Sequence, residues 1–329
     1  MNFTLLICRR RVRPVLQWPF IISGLPSRTL FRKLHSAKLK WTISRDCEFM
    51  QNGCFPIILI YTDNFYFQQS LKLMNLFQQQ YGDGEPAIII LHGILGSARN
   101  WHSAAKILAE KKRIIVPDLR NHGRSPHTEV HEINALVDDI LELQQKTDAA
   151  PGVIMGHSMG GLIACEAAFR SRETVRALIV IDVAPREHRG NVVSILDTMK
   201  KVELHKCENK SDVDSRLALT IADPLIRQFV LTNLVQDDGF HWRINLPALY
   251  AYLLALRTYR PADTDFYDGP TLFLRGERSD YITDSDSEVI LQHFPQAQII
   301  TVPEAGHWIH YDNLPVLVDE VQRFLQSIE

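Results

Sequence analysis

Ser158 sits in Gly156-His157-Ser158-Met159-Gly160-Gly161, a Gly-x-Ser-x-Gly run between the apolar stretch Val153-Ile154-Met155 and an apolar helical pattern from Gly160 to Arg170. A serine on a strand-turn-helix of this kind is suited to attack an acyl carbon, because strained backbone angles push its hydroxyl into a cleft. The flanking glycines are required, since the tight turn leaves no room for a Cβ. The helix that follows also directs its N-terminal dipole at the site, favouring developing negative charge.

A serine hydroxyl needs a base, and the base needs an orienting carboxylate. His307, in Glu304-Ala305-Gly306-His307-Trp308, lies just beyond the last strand pattern and before the final helix pattern, where such a site assembles. The chain has 13 histidines, and position alone singles this one out. His92, His122 and His310 fall in loops of the same rim and read as structural. Two aspartates compete for the third place. Asp182 ends the apolar run Ala177-Leu178-Ile179-Val180-Ile181, and Asp280 follows Thr271-Leu272-Phe273-Leu274. A carboxylate at the mouth of an apolar strand is costly unless hydrogen-bonded, and a histidine N–H supplies that partner. This favours Asp182 and leaves Asp280 as the alternative; their structural readings are a turn cap and a solvated surface charge.

Attack on an ester carbonyl creates an alkoxide that needs two fixed donors. The expected pair is the backbone N–H of Met159 and that of Ile94, in His92-Gly93-Ile94-Leu95-Gly96-Ser97. The other use of a Gly-rich turn after a strand is to cradle phosphate, but the P-loop lysine and the GxGxxG spacing are both absent. Chemistry through Ser158 calls for no metal and no organic cofactor.

These residues must be carried by alternating elements. Ala87 to Leu91 is a continuous apolar run, as for a strand buried on both faces of a parallel sheet. Helical spacing follows around Trp101 to Glu110, then the strand Arg113 to Pro117, a helix from Glu132 to Lys146, and the strand Val153 to Met155. After Pro185 the alternation stops, and residues 186 to about 260 hold helix-like pieces such as Val192 to Leu204 and Leu246 to Leu256. It resumes with Thr271 to Leu274, a helix near Ser285 to His293, the strand Gln298 to Val302, and a helix from about Leu314 to Ser327. The pattern predicts an open parallel sheet with right-handed crossovers, and a helical lid inserted between two late strands.

Charge divides the chain. Between Met1 and Arg45 stand ten Lys or Arg residues and no acid, leaving 26 basic residues against 38 acidic ones in the remainder. So acidic a body is a poor candidate for nucleic acid. The basic head, with Arg9, Arg10, Arg11, Arg13, Arg28 and Arg32 among Leu, Phe and Ser, reads as a mitochondrial targeting segment. The expected organisation is targeting segment 1–45, an unassigned extension 46–70, and a domain at 71–329 with its lid at about 186–260. Five cysteines without a CxxC pair favour a reducing compartment over a disulfide framework. The most apolar stretch, Phe55 to Phe67, is too short for a membrane span and contains Asp63 and Asn64.

Together these motifs resemble the α/β-hydrolase superfamily over roughly Leu71 to Glu329. Within it the chain looks like the abhydrolase-domain-containing protein eleven group and its bacterial short-chain esterase relatives. The resemblance rests on the three runs around Gly93, Ser158 and His307, on Asp118-Leu119-Arg120-Asn121-His122-Gly123-Arg124-Ser125, on Asp182-Val183-Ala184-Pro185 and on Trp242-Arg243-Ile244-Asn245-Leu246. It implies an α/β-hydrolase fold and a serine esterase. Most α/β-hydrolases take their acid from the later loop, but here Ser279 stands in that place, before Tyr281 and Ile282. The group's bacterial esterases use the Asp-x-Ala-Pro turn, which supports Asp182. Another acid proposed in the group follows Trp-Arg-x-Asn-Leu, where this chain has Pro247. Animal members look mitochondrial, in agreement with the basic head.

The preferred function is hydrolysis of a carboxylic ester or thioester through an acyl-enzyme on Ser158, with small-molecule substrates of short or medium acyl length implied by the resemblance. Epoxide hydrolysis and dehalogenation on this fold use an aspartate nucleophile, which Ser158 argues against. The alternative is a catalytically silent α/β-hydrolase that binds a ligand or a protein.

Overall fold

The computed structural model describes residues 74–187 and 192–329. The basic head, the extension at 46–70 and the first residues of the expected hydrolase domain lie outside them. The main sheet contains β1 (Gln78–Tyr81), β2 (Ile88–Leu91), β3 (Ile114–Pro117), β4 (Gly152–His157), β5 (Val175–Ile181), β8 (Thr271–Gly276) and β9 (Ala297–Val302). Their order is β1-β3-β2-β4-β5-β8-β9, with β1 antiparallel to β3 and every other pairing parallel.

The strands explain the apolar runs. Ile88 and Ile90 of β2 pack on one side of the sheet, while Ile89 and Leu91 pack on the other. Each residue is fully buried because helices cover both faces. On one side lie α1 (His102–Leu108) and α10 (Leu314–Ser327), through residues such as Ala105, Leu317, Val321 and Phe324. On the other lie α2 (Ile133–Lys146) and α3 (Met159–Arg170), through Leu136, Ile140, Leu162 and Ile163. Each such side chain contributes roughly 1.5–3 kcal/mol by leaving water. The edge strand β1 has the sequence Gln-Gln-Gln-Tyr and is only half-buried, so it carries no apolar signal to be read.

Between β5 and β8 the chain leaves the sheet. This insertion carries α4 (Val192–Lys201), α5 (Lys210–Ala218), α6 (Pro224–Leu231), the two-stranded hairpin of β6 (Leu234–Asp237) and β7 (Gly239–Trp242), and α7 (Leu246–Ala255). The hairpin has half-exposed strands, which is why no core strand is legible there. The insertion is tied within itself and to a loop of the sheet at defined points. Trp242 Nε1 donates to the Met199 carbonyl (3.2 Å), and Asn245 Nδ2 donates to the Thr128 carbonyl (2.9 Å). After β8 come α8 (Ser287–His293), then β9 and the short α9 (Ile309–Asp312). Among the described residues no helix is long and apolar enough to cross a membrane.

Candidate active site

Ser158 joins β4 to α3 with φ 54° and ψ −118°, a conformation that L-residues rarely hold. Two features impose it. Ser158 N–H donates to the Ile181 carbonyl of β5 (3.0 Å). The chain also folds back so tightly that a Cβ on Gly156 would lie 2.1 Å from the Gly160 carbonyl oxygen. Met159 heads α3, and the first N–H groups of a helix have no intrahelical acceptor.

Asp182 follows β5, also at positive φ (51°), and is fully buried. Its N–H donates to the Leu274 carbonyl (2.8 Å), and its Oδ1 accepts from Gly276 N (3.0 Å). Its Oδ2 accepts from His307 Nδ1 (2.7 Å) and from Ser279 Oγ (2.5 Å). A buried carboxylate is thus met by three donors, the condition under which burial is tolerable. Asp280 is exposed, and the neighbouring Ser279 makes the contact. The loop after β8 therefore reaches the site with a hydroxyl, where a carboxylate was the alternative expectation.

His307 is held on several sides. Tyr281 stacks on its ring, with centroids 3.7 Å apart and planes 17° from parallel. His157 Nε2–H donates to its carbonyl oxygen (2.8 Å). Burial first, and the neighbouring His307 second, push the His157 pKa well below the ordinary histidine value. A neutral imidazole that offers Nε2–H to a carbonyl fits that direction. His310, stacked on Trp101 with centroids 4.6 Å apart, is pushed down to about 3 by burial and then by His307.

The loop after β2 turns through Gly93-Ile94-Leu95-Gly96, closed by Gly96 N–H on the Gly93 carbonyl (3.0 Å). His92 accepts from Leu119 N–H at Nε2 (3.0 Å), which leaves Nδ1–H to donate to the same Gly93 carbonyl (2.8 Å). In a trans peptide the carbonyl and N–H point in opposite directions. Pinning Gly93 O with two donors, one of them the Gly96 N–H of the same turn, therefore helps to direct Ile94 N–H. His92 and His122 are buried and pushed down in pKa by desolvation first, as structural histidines are.

Ser158, His307, Gly93 and Ile94 share one cavity of about 430 Å³. Ile195, Ile226, Phe229 and Trp308 form apolar walls, while Asn100, Arg278 and Asp312 supply polar groups. Sequence reasoning singled out Ser158, His307, Asp182, Ile94 and Met159. It missed the roles of Ser279, Tyr281, His157 and the lid residue Phe229. A serine in the place usual for an acid was the available signal for Ser279. The lid wall had none, because helical periodicity does not tell which apolar residues face a cavity.

A family model described as the alpha/beta hydrolase fold matches residues 86–213. The mouse sn-1-specific diacylglycerol lipase ABHD11 is 38% identical over 249 residues, which cover 73% of this chain and 81% of that protein. The Escherichia coli esterase YbfF is 27% identical over 244 residues, covering 73% and 93%. Among solved structures, a marine microorganism esterase is similar with a TM-score of 0.73 and 30% identity, over 76% of this chain and 99% of its own. With the fold, the site geometry and a relative at this identity over four-fifths of its length, the chain belongs to the ABHD11 family of α/β hydrolases.

Proposed function

We propose that Ser158 is the nucleophile of a carboxylic ester hydrolase, with His307 as its base and Asp182 as the orienting acid. The observation that carries this reading is the His307 Nδ1–Asp182 Oδ2 bond of 2.7 Å beside a cavity that Ser158 shares. With Nδ1–H given to the carboxylate, His307 Nε2 is left as an acceptor for the serine proton. Ser158 Oγ then bonds to the acyl carbon as His307 takes its proton. The N–H groups of Ile94 and Met159 hold the resulting oxyanion. Collapse expels the alcohol, or the thiol of a thioester, with the proton returned by His307. Water then attacks the acyl-enzyme by the same route and releases the acid.

The mouse and Escherichia coli relatives are named lipase and esterase, so ester hydrolysis is favoured over the silent-binder alternative. A cavity of about 430 Å³ with apolar walls lies toward the small end of ligand sites and suits one acyl chain of short to medium length. An acylglycerol, the substrate class in the mouse relative's name, satisfies that requirement where its hydrolysed chain is of such length. The test is hydrolysis of p-nitrophenyl esters of graded acyl length by the protein and its Ser158→Ala variant. Serine-dependent turnover with an optimum at intermediate length supports the reading. Activity that survives Ser158→Ala overturns the mechanism, and a rate rising steadily to sixteen-carbon chains overturns the chain-length assignment.

The acid-free head of residues 1–45 further supports delivery to mitochondria. A fluorescent protein fused behind residues 1–45 should enter mitochondria; a diffuse cellular distribution overturns this.

A further inference from the structure

The turn that carries Ile94 is strained. Leu95 occupies its third position at φ 63°, where glycine or asparagine is usual. Two bonds from outside the loop hold it there. Leu95 N–H donates to His122 Nε2 (3.3 Å), and His122 is fixed in turn by Nδ1–H on the Arg120 carbonyl (3.0 Å). The Leu95 carbonyl accepts from Asn233 Nδ2 (2.8 Å). The first hold belongs to the sheet's own loops, and the second comes from the lid.

Asn233 lies two residues beyond the end of α6 and is 4% exposed. Its N–H donates to the Val230 carbonyl (3.0 Å), and its carbonyl accepts from Arg243 N–H at the exit of the hairpin (2.8 Å). Ile226, Phe229 and Val230 of α6 line the cavity, as does Ile195 of α4. The hairpin is bonded to α4 through Trp242 and the Met199 carbonyl. The walls that an acyl chain would press against and the amide that holds Leu95 therefore belong to one connected part of the lid.

We infer that Asn233 is a positioning residue for the oxyanion loop, through which filling of the acyl cavity sets the aim of Ile94 N–H. The inference rests on the reading of Ser158 and Ile94 given above. An acyl chain that fills the cavity seats α6, and α6 places the Asn233 amide on the Leu95 carbonyl. A chain too short to reach the wall leaves α6 unbraced, and with it one of the two external holds on a strained turn. Binding energy remote from the ester is thereby expressed in the transition state, as a higher kcat.

The experiment compares wild type, Asn233→Asp, Asn233→Ala and Ser158→Ala as full chains. It measures kcat and KM across acyl lengths, and affinity for an alkyl boronic acid against the alcohol of the same chain. Asn233→Asp is nearly isosteric but replaces the donor with an oxygen. It should lower kcat roughly ten- to a hundredfold on the best ester, less than outright loss of an oxyanion donor, with KM within about threefold. The boronic acid, which forms a tetrahedral adduct on Ser158, should weaken by a similar factor while the alcohol binds as before. The rise of kcat with acyl length should flatten in both Asn233 variants. An unchanged kcat, a loss equal at every length, or parallel weakening of alcohol and boronic acid overturns the inference. Boronic acid affinity that survives Ser158→Ala overturns the reading of Ser158, and so is told apart from a failure at Asn233.

Discussion

Ser279 Oγ lies 2.5 Å from the same Asp182 oxygen that receives His307 Nδ1. The later loop contributes a hydroxyl that braces an acid supplied by the strand before it. Asp182→Asn should lower kcat by about 10³–10⁴-fold, because an amide can force the wrong histidine tautomer. Ser279→Ala removes one charge-assisted bond and should lower kcat by about tenfold. Asp280→Asn should stay within about twofold, since exposed charges of this kind contribute little. Ester kinetics on the three variants check this; an Asp280→Asn loss larger than that of Asp182→Asn would reverse the assignment of the acid.

The elbow tolerates no side chain at Gly156. A Cβ there would lie 2.1 Å from Gly160 O and 2.6 Å from Gly161 N, both backbone atoms that cannot swing aside. Gly156→Ala is expected to cost more than about 3 kcal/mol, or to yield no folded protein. Urea denaturation gives the value, and a near-wild-type midpoint would mean that the elbow is softer than its geometry indicates.

Stability should fall on mild acidification. Burial lowers His131 and His310 to about 3 from an ordinary 6.5, so below pH 6.5 the unfolded chain binds protons that the folded one refuses. The stabilisation is complete above that value and is lost as pH falls from 6.5 towards 3. Each histidine contributes up to about 1.4 kcal/mol per pH unit in this window. Unfolding free energies at pH 7.5 and 5.5 should differ by a few kcal/mol, and His310→Gln should reduce the difference. A pH-independent stability over this range would contradict it.

Arg120 and Asp139 form a buried bidentate pair at 2.6 and 2.7 Å, and Arg120 also donates to the Ala135 carbonyl (3.0 Å). Burial raises the Asp139 pKa despite this partner, so desolvation is the larger effect on that carboxylate. Asp139→Ala strands a buried guanidinium and should cost about 3–5 kcal/mol. Lys206→Ala, which breaks an exposed pair with Glu203, should change stability little. Paired denaturation curves decide whether burial sets this difference.

The elements around the site were legible where burial is two-sided or where helical periodicity is complete. Ile88 to Leu91, Ala177 to Ile181 and the helix Leu314–Ser327 announce themselves by composition or spacing alone. β1 did not, because an edge strand of glutamines is stabilised by pairing with Ile114–Pro117 and carries no apolar pattern. In the lid, α5 and α6 went unread: α5 carries only a weak apolar period, and α6 is eight residues long, barely two turns. Within the site, Ser158, Asp182 and His307 could be named because each sits at the end of a recognisable strand. The contacts of Ser279, His157 and Asn233 span 97, 150 and 138 residues, and only the fold brings them together.

The parallel order of the sheet has a temporal consequence. Ser158 lies near the middle of the chain, while His307 follows β9, the last strand to be made. On the proposed mechanism, a nascent chain that has passed Ser158 but not reached His307 carries its hydroxyl with no base to activate it. On the same mechanism, a ribosome-stalled or clipped chain that ends before His307 should show no turnover of esters that the longer chain hydrolyses.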